Sequence, residues 1–244
     1  MRTLKTPHRA QPYEDRIEAA EELALAVEFH FSDRVAKEKG PLGSIPPAAN
    51  RPELVVGLTR GGIPLAMRVA RRLNLPWDLL VVRKIALKSN PELAWGALAE
   101  AGEEPVAFYN PQLQHPGSSG KEPVAEASAR ARKELEQKIM RYRALHPARN
   151  VSNAHVLLVD DGAATGATMR AAIRAMRKKG ARRVSVALPV APEETVAEIG
   201  EEADALICPW RPSCFVSVGT HFRHFPQVSE AEVVEALKIL SEAG

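Results

Sequence analysis

One stretch of the chain, residues 155–168, constrains the fold more than any other. Its sequence is HVLLVDDGAATGAT, an apolar run that ends in two carboxylates and continues into a turn of small residues. A helical pattern over residues 169–179 follows. A short apolar run of this kind is typical of a strand that is buried on both faces, as in a parallel sheet. The stretch therefore predicts a buried strand, a tight loop and the start of a helix.

The loop after this strand has the composition of an anion-binding site. Gly162 and Gly166 allow the backbone to bend closely around a ligand, and Thr165 and Thr168 offer hydroxyl groups. The first N–H groups of the following helix have no partner within the helix, and they lie at the positive end of the helix dipole. These features together predict a cradle for a group of phosphate size.

The two acids before the cradle, Asp160 and Asp161, indicate which phosphate ligand fits. A Walker loop requires a lysine before its Ser/Thr, and a dinucleotide fingerprint requires G-x-G-x-x-G with an acid about 20 residues later. Neither pattern is present here. Carboxylates accept the hydrogen bonds that a ribose diol donates, so the pattern favours a sugar with adjacent hydroxyls and a 5-phosphate. The alternative is an ordinary strand-turn-helix unit with a polar end.

A second loop, TRGGIP at residues 59–64, repeats this logic of a strand, a small turn and a helix. Gly61 and Gly62 bring backbone N–H groups close to an anion, and Arg60 adds a permanently charged set of donors. The alternative is a Gly-Gly turn with a surface arginine. Further on, Arg83 and Lys84 end a predicted strand over residues 77–82, where they are either solvated charges or cations directed at a ligand.

Residues 157–168 resemble the phosphoribosyl pyrophosphate (PRPP) loop of type I phosphoribosyltransferases. The wider chain, residues 13–237, resembles a bacterial branch of predicted members of that family. Further matching stretches are GLTRGGIPLA at 57–66, LLVVRKI at 79–85, NPELA at 90–94 and FPQVS at 225–229. The resemblance implies an α/β fold, an open parallel sheet with helices on both faces, a lid loop and a small C-terminal hood. The order of the predicted strands and helices independently favours such a sheet.

The resemblance also assigns roles to the loops. It implies that residues 59–64 bind pyrophosphate, often with a non-proline cis peptide, and that Lys84 rather than Arg83 contacts the pyrophosphate. Residues 85–104 show no clear period and match a flexible lid that would exclude water. Trp95 within them is expected to pack rather than to cover substrate. Residues 209–227, rich in aromatic and polar side chains, match the hood that would recognise the acceptor.

Two positions modify this expectation. Ala164 stands at a position where hypoxanthine-guanine phosphoribosyltransferases have an aspartate. An alanine here resembles the adenine and uracil phosphoribosyltransferases instead, and it leaves no acid-base residue at that position. His221 and His224 lie three residues apart. A structural or surface role is expected for both, and the alternative is a metal site whose third ligand is not evident.

Composition limits the remaining possibilities. The chain has 244 residues and 45% hydrophobic content, enough for one sizeable core, and residues 1–244 are expected to form a single domain. Basic residues in the predicted helix 122–145 alternate with acids, which favours a solvated face over a nucleic-acid surface. Residues 1–12 are polar and expected to be flexible, without the apolar segment of a signal peptide. No apolar run is long enough to span a membrane, so a cytoplasmic location is expected.

The reaction that the resemblance implies is displacement of pyrophosphate from Mg-PRPP by a nitrogen nucleophile such as a nucleobase. Mg²⁺ would be carried by PRPP, with Asp160 or Asp161 as a water-mediated contact. The catalytic residues would be Arg60, Lys84, Asp160 and Asp161. The PRPP-binding residues would be Arg60, Gly61, Gly62, Lys84, Asp160, Asp161, Gly162, Ala163, Ala164, Thr165, Gly166, Ala167 and Thr168.

Two other functions compete with this one. The first is a non-catalytic sensor of PRPP or a nucleotide on the same fold, and the presence of Arg60, Lys84 and both acids favours the enzyme over it. The second, a Rossmann-type oxidoreductase, lacks its glycine fingerprint. The expected partners are PRPP and an acceptor that the sequence does not identify. Nucleic acid and membranes are not expected partners, and a homodimer is one assembly open to the chain.

Overall fold

A computed structural model of the chain describes residues 9, 11–37, 51–87, 90–111 and 124–242. Most of the predicted flexible N-terminus, residues 1–12, lies outside these ranges, as do most of the proline-rich connection before residue 52 and the loop before the third helix. The described helices are α1 Arg16–Lys37, α2 Gly62–Leu73, α3 Val124–Arg143, α4 Ala167–Lys178, α5 Glu193–Glu202 and α6 Glu230–Glu242. The described strands are β1 Leu54–Leu58, β2 Trp77–Leu80, β3 Val82–Leu87, β4 Asn90–Ala99, β5 Val106–Tyr109, β6 His155–Val159, β7 Arg183–Ala187 and β8 Ala205–Ile207.

Five of the strands form a parallel sheet in the order β2-β1-β6-β7-β8. β1 and β6 are direct neighbours, with Gly57 opposite Val159 near their carboxyl ends. Because parallel strands end at the same edge of a sheet, the loops after β1 and β6 lie side by side. These two loops carry the two predicted anion-binding motifs.

Helices cover both faces of this sheet. Val55 and Leu157 belong to a hydrophobic cluster with residues of α1, α2, α3 and α6. Val56 and Leu158, one position further along the same strands, belong to a second cluster with residues of α4 and α5. Successive side chains of a strand point to opposite faces, so strands buried on both sides read as continuous apolar runs. The predicted open parallel sheet with helices on both faces is confirmed.

The prediction of an irregular segment over residues 85–104 is wrong for residues 85–87 and 90–99, which belong to β3 and β4. β3, β4 and β5 form a separate antiparallel sheet. Residues 94–100 are all buried, which removes the polar/apolar alternation by which a half-exposed strand is recognised. Register shifts at Ile85/Ala86 and Ala86/Leu87 disturb the period further. Trp95 packs in the hydrophobic core, as predicted.

The hood segment, residues 209–227, packs on the beginning of the described chain. Tyr13 forms a parallel bridge with Phe222, and its N–H donates to the His221 carbonyl at 2.9 Å. Tyr13, Trp210 and Phe222 form a small aromatic cluster. The start of α1 is therefore held against the hood segment rather than against the sheet alone. Within the described part of the chain, no helix is long and apolar enough to cross a membrane.

Candidate functional site

A cavity of about 550 Å³ opens at the carboxyl ends of β1 and β6. It brings together nearly all the residues that the sequence singles out, from three separate parts of the chain. Gly62, the first residue of α2, is the predicted site residue absent from the described lining. The predicted residues that line the cavity are Arg60, Gly61, Lys84, Asp160, Asp161, Gly162, Ala163, Ala164, Thr165, Gly166, Ala167 and Thr168.

Two helices begin at this cavity without the usual side-chain cap. α2 begins after Gly61 and α4 after Gly166, and in the described structure no side chain caps either helix. Neither first turn contains an acid. Uncapped N–H groups at the positive end of a helix dipole attract anions, and an acid in the first turn would compete with them. The cavity therefore has two places suited to an anionic group.

The loop before α2 lies close to the acid pair. A Cβ atom on Gly61 would come within 2.0 Å of Asp161 Oδ2, and one on Gly62 within 2.4 Å of the Val159 carbonyl oxygen. Both glycines are therefore required by contact between the two loops rather than by flexibility alone. The peptide between Thr59 and Arg60 is cis, a feature that is frequent in the family's pyrophosphate loop but that the sequence of this chain does not reveal.

The loop before α4 is in contact with the hood segment and with α5. Gly162 has a φ of +152°, and a Cβ atom there would lie 2.7 Å from Val218 Cγ1. The Ala163 N–H donates to the Val190 carbonyl at 3.1 Å, and Thr195 Oγ1 donates to the Ala164 carbonyl at 2.6 Å. With Ala164 fixed through its backbone, its small side chain leaves the space above it to a ligand.

The acid pair at the end of β6 is electrostatically strained. Withdrawal from solvent raises the pKa of Asp160 well above its usual range, and the neighbouring Asp161 carboxylate raises it further. The pKa of Asp161 is also raised by burial, but Arg16 opposes this shift. Lys84 lowers the pKa of both acids. The cavity thus holds negative charge close to cations, an arrangement suited to a ligand that brings hydroxyl donors and phosphates together.

Arg16 is the main site residue that the sequence does not reveal. Its Nε donates to Asp161 Oδ2 at 2.9 Å, and its Nη2 lies 2.9 Å from the same oxygen. Its guanidinium carbon also lies 3.7 Å from the centre of the Phe225 ring, and Nη1 donates to the Pro226 carbonyl at 2.5 Å. Since 145 positions separate Arg16 from Asp161, no local pattern signals the contact.

A further cation, Lys138 of α3, lines the cavity beside the Arg60 loop. Lys138 Nζ lies 2.9 Å from Glu230 Oε1, and Arg60 Nη1 lies 3.8 Å from the same oxygen. The expectation that the basic residues of this helix form a solvated face is correct for Arg132, which is exposed, but wrong for Lys138. It is also wrong for Arg143, which is mostly buried between Asp78 and Glu100.

The two histidines of the hood segment do not act as a pair. His221 is buried, stacks on Phe215 and bonds the Ser217 carbonyl through Nδ1 at 2.9 Å. His224 is 74% exposed and lies 3.3 Å from Glu14. The described residues contain no cluster of three metal-binding side chains. The structural and surface roles that we expect for the histidines agree with these positions.

Comparison with known proteins shows which family of domains contains this site. A family model described as a phosphoribosyl transferase domain matches residues 17–209. The crystal structure of TT1426 from Thermus thermophilus is 34% identical in sequence, with a TM-score of 0.68. That match covers 94% of this chain and 99% of the other.

Two curated proteins of Mycobacterium tuberculosis are also similar. They are "Putative phosphoribosyl transferase Rv0571c" of strain H37Rv and "Putative phosphoribosyl transferase MT0597" of strain CDC 1551. Each is 36% identical over 184 residues, which is 75% of this chain. The match covers 41% of each relative, so the chain spans about two fifths of their length.

Proposed function

Because the chain belongs to the family of phosphoribosyl transferase domains, we propose that it transfers the 5-phosphoribosyl group of PRPP to a nitrogen nucleophile and releases pyrophosphate. The observation that carries this proposal is the layout of the cavity. Two uncapped helix N-termini, those of α2 and α4, lie at a single cavity with the Asp160–Asp161 pair. PRPP has the matching layout, since its two phosphate ends flank a ribose diol.

In this arrangement the 5-phosphate binds to the loop at residues 162–168 and to the first turn of α4. Asp160 and Asp161 accept hydrogen bonds from the ribose hydroxyls. The pyrophosphate binds at the N-terminus of α2, where Arg60, Lys84 and Lys138 supply positive charge. Glu230 neutralises Lys138 and part of Arg60 in the absence of ligand, so pyrophosphate would compete with it for both cations.

The transfer exchanges one bond at the anomeric carbon for another. The nitrogen lone pair of the acceptor forms the new C–N bond while the C–O bond to pyrophosphate breaks. The electron pair of that bond leaves with pyrophosphate, and the acceptor loses its N–H proton to water. Positive charge that develops on the ribose ring is offset by Asp160 and Asp161, and the leaving group is stabilised by the cations of the α2 side.

The side chains of the cavity are suited to Mg²⁺ only when the substrate's phosphates supply further ligands. Mg²⁺ is usually held by one or two carboxylates, by waters and by substrate phosphates. Asp160 and Asp161 are the acids that line the described cavity, and they match this pattern through water-mediated contacts. When bound with PRPP, Mg²⁺ would neutralise pyrophosphate charge. The residues of the chain orient the ribose and accept the leaving group.

Titration of the protein with PRPP and Mg²⁺ tests the proposal. Replacing both site acids, Asp160→Asn with Asp161→Asn, should weaken binding at least about tenfold because both hydrogen-bond acceptors for the diol lose their charge. A matched control is the double change Glu193→Gln with Glu194→Gln, two adjacent acids in the first turn of α5. Equal affinities for the wild type and the Asp160/Asp161 variant would exclude the assignment of the diol site.

A second measurement separates the enzyme from a sensor on the same fold. An enzyme should release pyrophosphate from PRPP when the correct nucleobase or other nitrogen nucleophile is present. A sensor should bind PRPP with the same dependence on Asp160 and Asp161 but release nothing with any acceptor. A homodimer and a cytoplasmic location remain predictions of the sequence.

A further inference from the structure

The start of α1 and the hood segment together form a wall of the cavity that the proposed phosphate and sugar contacts do not use. Its described members are Arg16, Val218, Phe225, Gln227 and Val228. The α4 side would hold the 5-phosphate, the α2 side the pyrophosphate and the acid pair the diol. By elimination, an acceptor that attacks the anomeric carbon faces this remaining wall.

Arg16 is fixed on this wall by the local structure around it. The Asp15 carboxylate accepts the N–H groups of Ile17 and Glu18 at 2.7 and 3.0 Å, so it caps α1 directly before Arg16. The preceding backbone is bonded to the hood segment, with the His224 N–H donating to the Glu14 carbonyl at 2.9 Å. The Arg16 side chain is 11% exposed. Its guanidinium is therefore held in place before any ligand arrives.

The guanidinium decides the chemistry of the wall. It lies 3.7 Å over the Phe225 ring, so an acceptor on that face of Phe225 meets a cation rather than a bare aromatic surface. Val218, Gln227 and Val228 are uncharged, so Arg16 supplies the charge of the described wall. Once a ribose diol donates hydrogen bonds to Asp161, the Arg16 Nε and Nη2 groups share the Asp161 carboxylate with the diol. Arginine carries five N–H donors, enough to bind a second anion beside the first.

We infer that Arg16 is the specificity-determining residue of the acceptor subsite and that the acceptor carries a negative charge, such as a carboxylate on a nitrogen heterocycle. The inference rests on the proposed function, because it takes the Asp160–Asp161 pair as the ribose site. It assigns Arg16 to the acceptor and leaves the residues that bind the phosphates unchanged.

Pairs of nucleoside monophosphates that differ by one carboxylate test the inference, because they occupy the phosphate, ribose and acceptor positions together. Uridine 5′-monophosphate is compared with orotidine 5′-monophosphate, and nicotinamide mononucleotide with nicotinate mononucleotide, by isothermal titration. The carboxylate-bearing member of at least one pair should bind the wild-type protein about tenfold more tightly or better, as a charge-assisted contact to arginine provides.

Variants of Arg16 then show which residue is responsible. Arg16→Gln should bring the affinity ratio of that pair close to one, and Arg16→Lys should restore part of it. The ratio is informative because a change in how Asp161 holds the ribose affects both members of a pair equally, while the charge next to the acceptor affects mainly the carboxylate-bearing member. Arg9→Gln is the matched control, since Arg9 also lies over an aromatic ring, Tyr13, at 3.9 Å and is paired with Glu18 and Glu22, outside the described cavity lining. It should leave the ratio unchanged.

Titration with ribose 5-phosphate separates the two possible failures. If ribose 5-phosphate binds but neither pair shows a preference for the carboxylate, the acceptor inference is wrong and the proposed function stands. A preference that survives Arg16→Gln overturns the role of Arg16. If wild-type protein binds neither ribose 5-phosphate nor any of the four nucleotides, the proposed function and the inference fail together.

Discussion

Gly61 and Asp161, from the loops after two neighbouring strands, are in such close contact that a Cβ atom on Gly61 would lie 2.0 Å from Asp161 Oδ2. The proposed pyrophosphate loop thus rests directly on the carboxylate of the proposed diol site. A side chain at position 61 has no room unless one of the two loops moves. The positions of the two subsites are therefore coupled through this contact.

We predict that Gly61→Ala impairs ribose binding as well as pyrophosphate binding. Displacing a binding group by about 1 Å can reduce activity on the order of 100-fold, so we expect a loss of that size in PRPP-dependent turnover. Affinity for ribose 5-phosphate, measured by titration, should fall as well. Gly102→Ala serves as the control, because a Cβ atom there meets nothing within 4 Å although φ is +88°. It should cost about 1 kcal/mol of stability and leave binding intact.

We predict that Asp160→Asn stabilises the ligand-free protein while it weakens PRPP binding. Folding raises the pKa of Asp160, so the folded protein keeps a proton that the unfolded chain loses in the ordinary carboxyl range. The free energy of unfolding therefore falls as pH rises from the ordinary carboxyl range up to that raised pKa, and the asparagine variant escapes this fall. A gain of about 1 kcal/mol in the free energy of unfolding would raise Tm by roughly 2–4 °C near neutral pH in a chain of this size.

The pH dependence provides the control for this prediction. The gain in Tm should shrink as the pH falls below the ordinary carboxyl range, where the wild-type carboxyl is protonated in both the folded and the unfolded state. Asparagine keeps an oxygen that can accept the Asp161 N–H, which Asp160 Oδ1 accepts at 2.9 Å in the described structure. A variant that is less stable than the wild type at neutral pH would contradict the strain that we attribute to the acid pair.

We predict that Lys84→Ala weakens pyrophosphate inhibition or slows turnover while ribose 5-phosphate still binds. Lys84 is exposed towards the cavity and close enough to lower the pKa of both site acids. Arg83 is the matched control on the same strand, because its guanidinium is paired with Glu134 of α3 at 2.5 Å. Arg83→Ala should have a much smaller effect on pyrophosphate. Equal loss of pyrophosphate and ribose 5-phosphate binding in the Lys84 variant would indicate a folding defect instead.

Much of the parallel sheet and both anion loops could be predicted because their signals are local. The apolar runs of β1 and β6, the glycines after them and the start of each helix lie within about a dozen consecutive residues. The sequence does not predict the antiparallel sheet, because β4 is buried along residues 94–99 and so shows no alternation. Burial of both faces depends on helices distant in sequence, which a reading of local periodicity does not include.

The charged residues around the cavity show the same limit. Lys138 lies in a helix in which acids and bases are interspersed, as in ordinary solvated helices, and Arg16 is the first residue of α1, where the next charged residues are all acids. Their contacts with Asp161 and Glu230 arise from the packing of α1 and α3 at the edge of the site. A single sequence contains no record of such long-range pairs. The resemblance to a family supplied the phosphate loops but not these two residues.

Hydrogen exchange now tests a narrower form of the lid prediction. We expect slow exchange without ligand at residues 96–99, because they pair with β3 on one side and β5 on the other. A response to PRPP and Mg²⁺ should instead be confined to residues 85–87 of β3, where register shifts interrupt the ladder just after Lys84 and Ile85. β7, paired on both sides within the parallel sheet, is the internal control and should not respond. If exchange after Lys84 is as slow as in β7 and indifferent to PRPP, the segment is fixed structure and no lid closes over the pyrophosphate.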